Sequence, residues 1–185
     1  MDIYARAAAT LYGIIAFDDF IKILDNYYGE GALSGKRITA YIRSTENDDP
    51  IYYIHGNLIV HASIPPDEVA RTLSEIQHPV GVTAPAQRWI LPEKEFLLYA
   101  DPGYYEPSSG AQKMERYLTA DLGLSREEPR EIVGEMVFVC RTGSCPTFII
   151  NALTRRDLPY GQECEMELLL MGLEIDEGTR QWERL

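Results

Sequence analysis

Long apolar runs are missing from this sequence. No stretch approaches the roughly 18 consecutive apolar residues that a bilayer-crossing helix needs, so a soluble protein without a membrane partner is expected. The opening Met1-Asp2-Ile3-Tyr4-Ala5-Arg6 lacks the basic stretch, apolar core and small-residue cleavage site of a secretion signal, which points to the cytoplasm. Cysteine is scarce and odd in number. Cys140, Cys145 and Cys164 are not the even framework of a small disulfide-stapled domain and fit reduced thiols. Positive charge is also in short supply: 17 Lys and Arg stand against 29 Asp and Glu, a net charge of -12, so the whole molecule repels polyanions and any nucleic-acid contact must be local. Residues 1–66 hold 5 cations and 8 anions, and residues 67–185 hold 12 and 21, so the acidity sits mostly in the second part.

What is present is the composition of an ordinary folded chain, 45% hydrophobic and 25% charged over 185 residues, enough for one medium domain or two small ones. Asp2 reads as the N-cap of a helix carrying Ile3, Ala7, Leu11 and Ile14, and after a tight turn Phe17, Phe20, Ile21 and Leu24 repeat that spacing up to the Gly29 and Gly31 stop. Ser34 caps a third helix from Gly35 to about Ser44, followed by the polar turn Glu46 to Pro50. The period then changes. Ile51-Tyr52-Tyr53-Ile54-His55 and Leu58-Ile59-Val60-His61 flank Gly56-Asn57, a two-residue hairpin loop whose leading glycine suits a type II′ turn. Three helices and a hairpin make a winged-helix-like unit over residues 1–64, a relative of the helix-turn-helix.

From Pro66 onward the pattern is helical. One helix carries Val69, Leu73 and Ile76 and ends at Pro79, and another starts at Pro92 with Phe96, Leu97 and Tyr99. After the Asp101-Pro102-Gly103 turn, Ser108 or Ser109 caps a helix to Leu122, with Gly123 at its C′ position. Ser125 and Glu128 have capping-box spacing before an apolar stripe of Ile132, Val133, Met136, Val137 and Cys140, stopped by Gly143. Helices over about 146–153 and 161–173, and a short one in the tail 176–185, complete a mainly α chain with a helical domain at 65–185, separate from or continuous with the first unit.

Chemistry-bearing patterns fail one by one. The serine of Gly31-Ala32-Leu33-Ser34-Gly35 is one place too late for a nucleophile elbow, and Ser108 to Lys113 lacks the spacing of a phosphate-binding loop. Cys140-x4-Cys145 is no zinc knuckle, so these thiols with Cys164, His55, His61 or His78 are expected to hold no metal, and no cofactor is indicated. A catalytic reading would need a pocket that gathers at least two of His55, His61, Asp101, Glu135 and Cys140.

Leu11 to Ile15, Tyr53 to Asn57, Leu97 to Glu106, Leu118 to Ser125 and Thr179 to Trp182 resemble segments of a loose group of bacterial proteins. Many of these end in a small zinc-binding motif like the one at the C-terminus of the SecA translocation ATPase. No Cys-x-Cys or Cys-His pair stands in this chain, so the resemblance implies architecture and no zinc site.

The remaining candidate is the third helix, whose position in helix-turn-helix proteins is that of the helix placed in the major groove. At 100° per residue Lys36, Arg37, Ala40, Arg43 and Ser44 share an arc of about 120°, with Ile38, Tyr41 and Ile42 opposite. Lys22 and Arg6 are flanking charges, and Asn57 sits in the wing. The adjacent pairs Tyr27-Tyr28, Tyr52-Tyr53 and Tyr104-Tyr105 leave some tyrosine exposed for partner contact. The expectation is a non-enzymatic binding or regulatory module that contacts another protein; DNA is the alternative that the acidity disfavours, and an enzyme assembled from distant residues is a third reading.

Overall fold

A computed structural model describes residues 1–45, 51–77, 90–101, 103–125, 127–142, 148–156, 158 and 165–180. It is mainly helical, with one three-stranded antiparallel sheet. The described residues fall into two compact units, one formed by residues 1–77 and 90–104 and the other starting at Tyr105. The first unit therefore takes in more chain than residues 1–64, the span that the sequence marked out, because residues 90–104 return to pack on its first helix.

That helix, α1 (Asp2–Tyr12), is enclosed. Ala5, Ala7, Ala8 and Ala9 are all 0% exposed, and small side chains on several sides let neighbouring elements approach closely. Asp2 is the first residue of the helix instead of its cap: Met1 holds the N-cap position, and the Asp2 carboxylate accepts the Tyr52 hydroxyl at 2.9 Å and pairs with Arg6 at 3.2 Å. The acid still faces the positive end of the helix dipole. Gly13, at φ 68°, ends α1 with its N–H on the Ala9 carbonyl.

The next three residues are a strand, β1 (Ile14–Ala16), although the helical spacing predicts that the first helix runs on through Ile14 and Ile15 to a tight turn. Three residues are too few to display a period of two; β1 exists because it pairs antiparallel with a strand some 45 residues later. The helices α2 (Phe17–Tyr28) and α3 (Gly35–Thr45) follow. Phe17, Phe20 and Leu24 are buried as their spacing predicts, and Gly29 and Gly31 both have positive φ at the stop. A Cβ on Gly35 would lie 2.9 Å from Ile21 Cδ1, so the start of α3 is seated directly on α2. The hairpin forms as read, β2 (Tyr52–His55) and β3 (Leu58–His61), with Gly56 at φ 61° as a primed turn requires at its first central residue. The sheet order is β1-β3-β2, with Ile14 opposite Val60 and Tyr53 opposite Val60 from the other side.

The helix α4 (Val69–Gln77) buries Val69 and Thr72. The helix expected from Pro92 is a single turn, α5 (Glu93–Phe96), continued by a 3-10 helix (Leu97–Ala100) that lies along α1. Phe96 packs among the rings of Tyr4, Tyr12 and Tyr27, the Tyr27 hydroxyl donates to the Leu91 carbonyl at 2.8 Å, and the Tyr4 and Tyr28 hydroxyls both donate to the Glu93 carboxylate. Burial raises the Tyr27 phenol to about 12, helped by the negative charge of Glu93, and holds Tyr4 well above its ordinary value in the same way.

The second unit is helical among its described residues: α6 (Ser109–Ala120), α7 (Glu127–Arg141), α8 (Phe148–Thr154) and α9 (Glu165–Arg180). Ser108 caps α6 by accepting the Ala111 N–H at 3.1 Å, and Gly123 has φ 70°. At the start of α7, Glu128 accepts the Ser125 backbone N–H at 3.1 Å and its hydroxyl at 2.9 Å, the glutamate half of a capping box. Ile132, Val133, Met136, Val137 and Cys140 are all buried against α6, α8 and α9 residues. Gly110 allows the closest approach, since a Cβ there would stand 2.6 Å from the Ile175 backbone nitrogen on α9. The stop expected at Gly143 and the tail beyond Arg180 lie outside the described residues.

In the α1 core the Thr10 hydroxyl is buried and has no hydrogen-bond partner among the described residues. A buried hydroxyl without a partner costs on the order of 1–3 kcal/mol, whereas an isosteric methyl at the same place costs nothing in desolvation. Thr10→Val is expected to leave the urea midpoint unchanged or raise it by the equivalent of about 1 kcal/mol; a loss of stability in equilibrium unfolding would show that the hydroxyl is in fact partnered.

Candidate binding surface on the third helix

The helix α3 is held by Ile38 and Ile42, both buried in the core that also holds α1 and α2. Anchoring at i and i+4 fixes the rotation of the helix about its axis and thereby selects which residues face solvent. Lys36, Arg37, Ala40, Arg43 and Ser44 are exposed. Tyr41, which helical geometry assigned to the buried side with Ile38 and Ile42, is 47% exposed and belongs to the same outer face as the cations. The physical reason is angular: Tyr41 lies only about 40° beyond Arg37, at the edge of the exposed arc, and two isoleucines already fill the seat on the core.

Arg43 is exposed but committed. Its Nη2 donates to the Gly56 carbonyl at 2.6 Å, and its guanidinium carbon stands 5.3 Å from the centre of the Phe17 ring. The adjacent Asn57 carbonyl accepts the Phe17 N–H at 3.1 Å, which satisfies one of the unpaired donors at the start of α2. Thus α2 holds the hairpin turn through one carbonyl and α3 holds it through the other. Lys22, on α2, forms an ion pair with Asp19 at 2.9 Å. Glu46 to Pro50, the acidic approach to the hairpin, lies outside the described residues.

The residues singled out for chemistry are not brought together within either unit. His55 is exposed beside the turn, opposite Leu58, whereas His61 stands at the far end of the same hairpin, opposite Tyr52. Three residue steps along a strand separate them by roughly 10 Å. The Asp101 carboxylate accepts the Gly103 N–H at 2.9 Å and closes its own turn. In the second unit Glu135 receives Arg156 and pairs with Arg155 at 3.5 Å, while Cys140 is buried on the apolar stripe of α7. Among the described residues no group of three His, Cys, Asp or Glu side chains could hold a metal ion. Cys145, Cys164 and His78 lie outside those residues. No protein-family model, no curated protein and no solved structure matches the chain.

Burial lowers the His61 imidazole from its ordinary 6.5 to about 4. The Ser63 N–H points at Nδ1 at 3.3 Å, so this nitrogen is an acceptor and the ring proton sits on Nε2. Because the unfolded chain takes up a proton near pH 6.5 and the folded chain only near 4, this contribution to stability is complete above pH 6.5. It is lost as the pH falls to about 4, and amounts to on the order of 3 kcal/mol. Replacing His61 by Gln is expected to flatten the fall of the unfolding free energy between those two pH values; an unchanged slope would assign the acid sensitivity elsewhere. Arg43→Ala is expected to cost about 1 kcal/mol and to speed hydrogen exchange of the 51–61 amides selectively. Uniform exchange across the unit would show that Arg43 does not hold the turn.

Proposed function

We propose that the first unit is a winged-helix module that binds a partner protein through the outer face of α3, and that the chain acts in the cytoplasm as an adaptor or regulator without catalytic activity of its own. The element order α1-β1-α2-α3-β2-β3, with β1 closing the sheet beside β3, supports the winged-helix assignment. The observation that carries the binding surface is the makeup of its face: Arg37 and Tyr41, residue types that dominate contact energies at protein interfaces, stand exposed one helical turn apart with Lys36 beside them.

A duplex reader is the second reading, favoured by the basic arc on the helix that follows the α2–α3 turn. Against it stand the net charge of -12 and the commitment of Arg43, Lys22 and Arg6 within the unit, which engages three of the five candidate cations away from phosphate contact.

The full chain carrying Lys36→Glu, Arg37→Glu and Tyr41→Ala is expected to retain its melting temperature, because all three side chains are exposed. In affinity capture from the native host it is expected to lose a discrete partner at least tenfold, the size of a typical interface hot spot, while neither chain shifts a DNA duplex at low salt. Equal retention of the partner by both chains would remove α3 from the binding surface, and a duplex shift by the wild type that the variant lacks would replace the protein with DNA.

A further inference from the structure

The cations of the first unit separate into committed and uncommitted ones. Arg6 pairs with Asp2, Lys22 with Asp19 and Arg71 with Glu68, and Arg43 is bonded to the hairpin turn. Lys94 lies between Glu93 and Glu95 on α5 and has acidic neighbours in the chain itself. Lys36 and Arg37 form no ion pair among the described residues and have no acidic neighbour within α3. Two adjacent cations thus have no acidic partner among the described residues of a chain with 29 Asp and Glu.

Tyrosine shows the same division. Tyr4, Tyr27, Tyr28, Tyr52, Tyr53 and Tyr105 spend their hydroxyls on carboxylates, on one another or on backbone carbonyls. Tyr41 is half exposed, and among the described residues its side chain makes no hydrogen bond or ring contact. Lys36 and Ala40 lie one turn apart on one row of the helix, and Arg37 and Tyr41 on the next. Ala40 and Ser44, both small and exposed, share this face.

We infer that the ligand of this face is an acidic protein segment with one apolar side chain, its carboxylates meeting Lys36 and Arg37 and its apolar group lying on Tyr41 and Ala40. The inference rests on the proposal that α3 is the binding surface and adds the chemistry of what binds. Carboxylates match Arg37 in a two-point fork, and a single acidic segment presents few charges to the surrounding field. A duplex presents a continuous row of phosphates about every 1.7 Å along its axis, and two free cations would neutralise only about two of them against the repulsion of the rest of the molecule.

The test pans a displayed random-peptide library on the full chain and measures the selected peptides by fluorescence anisotropy at low and high salt. The expected peptides are enriched in Asp and Glu around an aliphatic or aromatic residue. Their binding should weaken at high salt, fall at least tenfold in both the Lys36→Glu, Arg37→Glu chain and the Tyr41→Ala chain, and return to the charge-reversed chain when the peptide acids are replaced by Lys. Peptides that need α3 but carry no excess of acid would overturn the acidic ligand and leave the binding surface standing. Peptides that bind all chains equally would overturn both. A labelled duplex that binds the wild type more tightly than any selected peptide, and loses the charge-reversed chain, would assign the face to nucleic acid.

Discussion

The enclosure of α1 is the constraint on which the first unit depends. A helix at the edge of a core needs one apolar stripe, but a helix packed on several sides needs small side chains on several sides, and Ala5, Ala7, Ala8 and Ala9 supply them. Around this axis gather the three strands, α3, α5 and the 3-10 helix. Because Ile38 and Ile42 are held in the same core, the outward direction of Lys36, Arg37 and Tyr41 is set by the packing of α1 and α2 and by nothing on the outer face itself. The outer face of α3 can therefore vary without disturbing the fold beneath it.

A second element of order comes from the hairpin turn. A two-residue turn at the end of a four-residue strand pair is weak in isolation, since two strands alone are at best marginal in water. Here Phe17 and Arg43 each engage one carbonyl of the turn, and the guanidinium lies over the Phe17 ring. The turn, the start of α2 and the end of α3 thus form one block. A surface that is already rigid loses less conformational freedom on binding, so under the proposed function the clamp would serve affinity without touching the partner. Arg43, which the helical arc groups with Lys36 and Arg37, acts as a support for their face.

Helix periodicity revealed α2, α3, α6 and α7 because each has one apolar side and one wet side, and the hairpin was legible because Gly56-Asn57 separates two β-rich runs. The strand β1 was not, since Ile14 and Ile15 continue the helical spacing of α1 and only pairing with Val60 and Ile59 makes them a strand. The division near residue 64 was read from a change of local pattern, but a unit is defined by contacts, and Phe96 reaches its neighbours Tyr4, Tyr12 and Tyr27 from far along the chain. Of the candidate surface, the exposure of Lys36 and Arg37 follows from the helical wheel. The exposure of Tyr41 does not, because an aromatic at the edge of an arc can fall to either side and tertiary packing decides it.

The tyrosines show how the unit handles two half-buried charges. Asp2 and Glu93 each begin a helix, where a carboxylate is favoured electrostatically, and each is reached by phenols, Tyr52 for Asp2 and Tyr4 with Tyr28 for Glu93. A phenol suits this task because it carries a large apolar ring into the core and keeps its proton at neutral pH, and burial raises Tyr4 and Tyr27 further in that direction. The phenol donors are thus neutral: Tyr4 and Tyr28 meet the Glu93 carboxylate with no cation paired to it among the described residues, whereas Asp2 takes the Tyr52 hydroxyl together with Arg6. An abundance of tyrosine in this chain is for that reason mostly an internal matter. It gives meaning to the exception: a tyrosine on the outer face of α3, beside two cations that no described acid neutralises, has no such task within the fold.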